Sequence, residues 1–120
     1  MLISEGAILP GIAISMEALA TRTAKLPHID VSEPPEQIIG KNTIQAMKSG
    51  ILYGYGSMID GLVRILGKEM TGSEDLLPRV IATGGMANLI IPYSNLVAEA
   101  NSMLTLTGLR IIYNTVYQNG

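Results

Sequence analysis

The chain has 120 residues, 48% of them hydrophobic, with 13 Gly and 6 Pro, a single-domain length with apolar material for one core and no sign of low complexity. Charged residues are 15% and the net charge is -2, which argues against a nucleic-acid binder resting on phosphate contacts and, with so little charge to cover the surface, predicts an oligomer. The absence of Cys and the single His, His28, exclude disulfides, thiolate chemistry and multi-histidine metal sites.

At the start, Met1 to Glu5 lacks the basic region of a signal peptide. Gly6 to Gly11 is a short apolar run closed by Pro10-Gly11, expected as a strand and a tight turn. Good helix formers follow, predicting a helix from about Ile12 to Lys25 that Pro27 stops, with Ile12, Met16, Leu19 and Thr23 on one side. Pro27 to Ile39 holds three of the prolines and reads as an extended surface connection. Gly40-Lys41-Asn42-Thr43 is a turn in which Asn42 or Thr43 is the N-cap of the next helix.

That helix is the strongest local signal: Ile44, Met47, Ile51, Tyr55, Met58, Leu62 and Leu66 recur at steps of three or four, predicting an amphipathic helix from Thr43 to Leu66. Its interior carries Gly50, Gly54, Gly56 and Gly61, each costing about 1 kcal/mol relative to Ala. Close approach by another helix or a ligand offsets such a cost, and Gly50, Gly54 and Ser57 share a face. Packing against the first helix and a helix-pair dimer interface both account for that face.

Gly67 to Leu77 is polar and reads as a loop, and Val80-Ile81-Ala82 as a short strand. Thr83-Gly84-Gly85 then leads into a helix from Met86 to Ile91. A strand, a glycine pair and a helix N-terminus present bare backbone to an anion or the edge of a nucleotide, although such a pair also serves as a plain turn. Asn95 to Ala100 is expected as a short strand, and Thr105-Leu106-Thr107-Gly108 opens a last helix through about Tyr117. The charge-free run between Arg79 and Glu99 is broken by Thr83-Gly84-Gly85, Asn88, Pro92 and Asn95, so no membrane span is expected and a cytoplasmic protein is. The pattern is a single α/β domain, residues 1–120, with more helix than sheet.

Several side chains have plain structural readings. Asp60, four residues before Arg64, reads as half of an intrahelical ion pair, not as a catalytic base. Glu17 suits the dipole near the start of the first helix. His28 reads as a solvent-facing loop residue, Lys41 and Lys48 as solvated cations, and Met47 and Met58 as core. Five tyrosines as the only aromatics give no stacking platform for bases.

The order of motifs resembles the C-terminal half of type III pantothenate kinase, in the actin-like (ribonuclease H-like) superfamily. The matching pieces are Gly6-Ala7-Ile8-Leu9-Pro10-Gly11 with the helix after it, Thr23-Ala24-Lys25-Leu26-Pro27, Ile39-Gly40-Lys41-Asn42-Thr43 with Met47-Lys48-Ser49-Gly50-Ile51 and Tyr53-Gly54-Tyr55, Ile81-Ala82-Thr83-Gly84-Gly85, and Leu104-Thr105-Leu106-Thr107-Gly108-Leu109. They cover Glu5 to Gln118.

The resemblance implies transfer of the ATP γ-phosphoryl group to pantothenate, the first step of coenzyme A synthesis, in a cytoplasmic homodimer, with a divalent cation (Mg) and a monovalent cation (K or NH4) in the parent enzyme. Thr83, Gly84 and Gly85 match the turn against the nucleotide. Thr43 matches a threonine that reaches the partner's pantothenate site, and Gly6, Pro10 and Gly11 a turn near the substrate. Gly50, Gly54 and Ser57 fall on the dimer helix. The family's phosphate loop and catalytic Asp belong to an N-terminal lobe whose motifs do not occur in these 120 residues. Glu5 replaces the first glycine of a pair, and no residue here is assigned a catalytic or metal-ligating role. A dimerisation or regulatory module without chemistry, and a nucleotide-binding protein that transfers no phosphate, are the alternatives.

Overall fold

The computed structural model describes residues 6–22 and 26–118. The chain divides into two compact units, Met1–Ile51 and Leu52–Gly120. The elements run α1 (Ile12–Arg22), α2 (Thr43–Thr71), β1 (Ile81–Ala82), α3 (Ala87–Ile90), a 3-10 turn (Ile91–Tyr93), β2 (Glu99–Ala100) and α4 (Leu104–Tyr117). At the level of class this is the expected helix-rich α/β pattern. Glu5 and Thr23–Lys25, where the first helix was expected to end, lie outside the described residues.

In the first unit, the strand expected over Gly6 to Gly11 is not formed: the segment is irregular and exposed, and no strand among the described residues pairs with it. It leads into α1, whose first turn closes with the Ser15 N–H donating to the Gly11 carbonyl at 3.0 Å. Ile12 is the buried residue of α1. Glu17 sits one turn past the helix start, too far in for the dipole role assigned to it.

The proline-rich connection after α1 is irregular, bent at residues 32–33 and 36–39 where an extended run was expected, and it buries Val31 and Pro35. Asp30 Oδ1 accepts from the Ser32 amide at 2.8 Å. Hydrogen bonding from Ser32 outweighs desolvation and, with Lys48's charge, holds the Asp30 carboxyl below its usual pKa.

Three side chains from the start of α2 tie the connection down. Gln45 Oε1 accepts from the Glu36 amide at 3.0 Å, Ser49 Oγ donates to the Ile38 carbonyl, and Lys48 Nζ lies 4.0 Å from Glu33. Lys48 is therefore buried and paired, where solvation was expected; its stem supplies the apolar cover and its ammonium reaches the rim. His28 and Lys41 are exposed, as expected.

Of the two candidate caps for α2, Asn42 is the one used: its Oδ1 accepts from the Gln45 amide at 2.9 Å. Met47, Ile51 and Leu52 are buried along α2, and Met58 is half-buried. The helix runs past Leu66 to Thr71. Gly67, read as the start of a loop, is a buried helical residue whose missing Cβ leaves room for Pro78: a Cβ there would come within 2.8 Å of Pro78 Cδ. The helix instead stops at Gly72, at φ +73, whose N–H returns to the Lys68 carbonyl at 2.8 Å.

In the second unit, β1 and β2 pair in parallel, with Ile81 opposite Glu99 and Ala82 opposite Ala100. A parallel pair needs a crossover, and here α3 and the 3-10 turn supply it. The expected helix from Met86 to Ile91 is shorter in its α part, because Pro92 sits at the start of the 3-10 turn that follows. The last helix forms as expected, and its apolar residues Leu109, Ile112, Val116 and Tyr117 are exposed.

Candidate functional site

The turn after β1 is where the second unit presents bare backbone. Thr83, Gly84 and Gly85 are all exposed. Gly84 has φ +99, a left-handed conformation that favours glycine. Gly85 needs no such conformation, and a Cβ there would meet nothing within 4 Å. Backbone geometry therefore accounts for the first glycine, and neither geometry nor packing among the described residues accounts for the second.

The turn is anchored on both sides. Thr83 Oγ1 donates to the Asn101 carbonyl at 2.7 Å, across the strand pair. The Ala87 N–H donates to the Gly84 carbonyl at 3.3 Å, folding the turn onto α3. Since α3 is a single turn, its dipole adds little attraction for an anion, and what the turn offers is exposed backbone.

Behind the turn, α2 holds the returning chain. The Tyr53 and Tyr93 rings meet edge to face, with centroids 4.9 Å apart. Burial, then the neighbouring Tyr53, raises the Tyr93 hydroxyl above its usual pKa. Gly56 lies directly against the backbone of Tyr93, where a Cβ would fall 2.1 Å from the carbonyl oxygen.

One turn further, Asp60 accepts from Ser94 Oγ at 2.5 Å, the Asn95 amide at 2.7 Å and the Leu96 amide at 3.2 Å. Burial works against its charge, but these hydrogen bonds, with Arg64's charge behind them, outweigh it and hold its pKa below the usual Asp value. Asp60 was read as the intrahelical partner of Arg64; its carboxylate instead faces a segment 34 to 36 residues away. Sequence spacing reveals helical neighbours but not tertiary ones, and the signal available was an Asp, a poor helix former, placed mid-helix with no terminus to cap.

The residues matched to a substrate end lie in the first unit. Pro10 and Gly11 precede α1, and Thr43 is the first residue of α2; all are exposed, as is Gly6. Beside Thr43, a cavity of about 40 Å3 is lined by Glu36, Gln37, Ile39, Gly40, Lys41, Asn42 and Gln45, room for water and not for a substrate.

Gly50, Gly54, Ser57 and Gly61 form an exposed line along α2, and no described atom of its own unit comes within 4 Å of the Cβ position at any of the three glycines. Packing within a unit therefore does not explain these glycines. Among the described residues no three His, Asp or Glu groups converge into a metal cage, and no helix is long and apolar enough to cross a membrane.

A sequence profile for type III pantothenate kinase matches residues 3–65, more than half of the chain. The chain belongs to that family. It is 55% identical over 111 residues to the type III pantothenate kinase of Desulfotalea psychrophila, covering 92% of this chain and 41% of the relative. The kinase of Citrifermentans bemidjiense is 52% identical over 108 residues (90% and 41%), and that of Desulfatibacillum aliphaticivorans 50% over 111 residues (92% and 42%). The chain thus spans about two fifths of the length of these curated relatives. Sequence of the type III pantothenate kinase family therefore runs through α1 and most of α2, Asp60 included.

Proposed function

We propose that this chain supplies the nucleotide-side turn and the dimer helix of a cytoplasmic type III pantothenate kinase, which transfers the γ-phosphoryl group of ATP to pantothenate. In this reading it forms the C-terminal lobe of an actin-like fold. The observation that carries the reading is the glycine pair after β1: Gly84 is set by its φ of +99, and Gly85 keeps an open approach that no packing among the described residues requires. Membership of the family supports reading the adenosine side of ATP as the ligand at this turn.

Phosphoryl transfer needs in-line positioning, neutralisation of the phosphate charge and a group to take the hydroxyl proton. The cations, Mg with K or NH4, serve that neutralisation when bound with ATP. This chain's residues contribute to binding: backbone at Gly84 and Gly85, with Thr83 fixing the turn through Asn101. Thr43 and the Gly6, Pro10 and Gly11 turn serve pantothenate. Gly50, Gly54 and Ser57 let a second α2 come close in the homodimer.

The full-length protein tests this with ATP and pantothenate together. Pantothenate-dependent phosphate transfer is expected; its absence overturns the kinase reading. Gly85→Val should raise the KM for ATP by about tenfold or more while moving the unfolding temperature by no more than roughly 2 °C. An unchanged KM removes the turn from the nucleotide site. Gly54→Leu should shift the protein from dimer to monomer in sedimentation, and a dimer of undiminished affinity removes α2 from the interface.

A further inference from the structure

The pairing of β1 with β2 is only two residues long on each side. A ladder that short has little power to select its own register, because a slip forfeits few hydrogen bonds. The position of the Thr83–Gly85 turn must therefore be set from elsewhere in the unit, and hydrogen bonds joined by short stretches of backbone lead from the turn to Asp60.

The Thr83 hydroxyl donates to the Asn101 carbonyl at 2.7 Å, and the Asn101 amide donates to the Ala82 carbonyl at 2.8 Å. On the other side of β2, the Ala98 amide donates to the Val80 carbonyl at 3.3 Å. The residues before it are gathered by two side chains. Ser94 Oγ accepts from the Leu96 amide at 3.3 Å and the Val97 amide at 3.1 Å, while donating to Asp60 Oδ1 at 2.5 Å. Asp60 itself accepts from the Asn95 and Leu96 amides. A rigid helix thus grips residues 94–97, and these deliver β2 to β1 in one register.

We infer that Asp60 is the positioning residue of the nucleotide turn: its carboxylate, on α2, fixes the segment 94–101 and through it the placement of Thr83, Gly84 and Gly85. This rests on the reading of that turn as the nucleotide site. Asp60 touches no reactant; it acts through Ser94 and the backbone.

The test uses the full-length protein with Asp60→Asn, which keeps size and one acceptor oxygen but turns an amide group toward backbone donors, and Ser94→Ala as a second break in the same series. Thr71→Val is the matched control. Its hydroxyl donates its one hydrogen among the carbonyls of Gly67, Ser73 and Leu76, the nearest being Gly67 at 2.8 Å, and accepts from the Ser73 amide at the far end of α2, so its loss lowers stability without reaching the turn. Two quantities are read for each variant, the Kd for ATP by calorimetry and the exchange rates of the Ala98 and Asn101 amides.

Asp60→Asn and Ser94→Ala should each raise the ATP Kd about tenfold, the effect of roughly one hydrogen bond, and speed exchange at Ala98 and Asn101 relative to the central amides of α2. Thr71→Val and Arg64→Ala should leave both unchanged. If Asp60→Asn lowers only the unfolding temperature, or Thr71→Val weakens ATP binding as much, Asp60 is a stabilising residue and the inference fails. Should the unaltered protein not bind ATP, the nucleotide reading fails instead, and the exchange rates still decide whether Asp60 sets the strand register.

Discussion

Two faces of α2, about 100° apart around the helix axis, carry glycine under different conditions. On one, Tyr53, Gly56, Asp60 and Gly67 meet the ring of Tyr93, the backbone of Tyr93, the segment Ser94–Leu96 and the ring of Pro78 in turn. On the other, Gly50, Gly54, Ser57 and Gly61 are exposed, and their own units bring nothing to the glycine Cβ positions. The first face needs glycine because the chain returns against it. The second also carries glycine, and nothing from its own unit occupies it. A helix-interior glycine therefore says little until the space its Cβ would fill has been inspected.

The sharpest way to break this contrast is Gly56→Ala. The added Cβ would lie 2.1 Å from the Tyr93 carbonyl oxygen and 2.6 Å from its carbon, both backbone atoms that move only with the whole turn. Overpacking of that kind typically costs about 1 to 3 kcal/mol, more than the roughly 1 kcal/mol that Ala returns in helix propensity. A net loss of up to about 2 kcal/mol is expected by urea denaturation. Unchanged stability would mean that the two faces do not differ.

Asp60 gives the next largest effect, and its pH dependence has a definite sign. Its folded pKa lies below the usual value, with desolvation opposed and outweighed by the Ser94, Asn95 and Leu96 hydrogen bonds. The unfolded chain then binds the proton first as pH falls, so the stabilisation is complete above the unfolded pKa of about 3.9 and drains away as pH drops through the folded pKa. Unfolding free energies measured from pH 6 downward should fall more steeply below about pH 4 in the unaltered protein than in Asp60→Asn. Identical slopes would show that the carboxylate is not held by these donors.

What could be read from the sequence follows the same line. Elements whose cause is local were legible: the Asn42 cap, the period of α2, the short strand at Ile81–Ala82, the final helix and the turn Thr83-Gly84-Gly85. Elements decided by distant contacts were not. Gly67 looked like a loop opener because its partner, Pro78, is brought to it only by the fold. Lys48 looked solvated because nothing nearby in sequence announces Glu33. Gly6 to Gly11 has a strand's composition, but a strand also needs a neighbour, and pattern alone does not supply one. The tie from Asp60 to Ser94 is the same case at the candidate site, hidden behind the more obvious Arg64 one turn away.

The smallest expected effect separates the two faces most cleanly, because its sign depends on what covers the helix. Gly61→Ala adds a Cβ into open space and removes a flexible residue from a helix interior, so the isolated chain should gain up to about 1 kcal/mol. If a second α2 packs on that face in the dimer, the same methyl pushes the two backbones apart and weakens association. Denaturation at protein concentrations below and above the dimer dissociation constant measures both quantities on one variant. Stability should rise at the low concentration and the advantage should shrink or reverse at the high one. A gain of equal size at both would leave the Gly50, Gly54, Ser57 and Gly61 face open to solvent, and the proposed pairing of two α2 helices through it would fail.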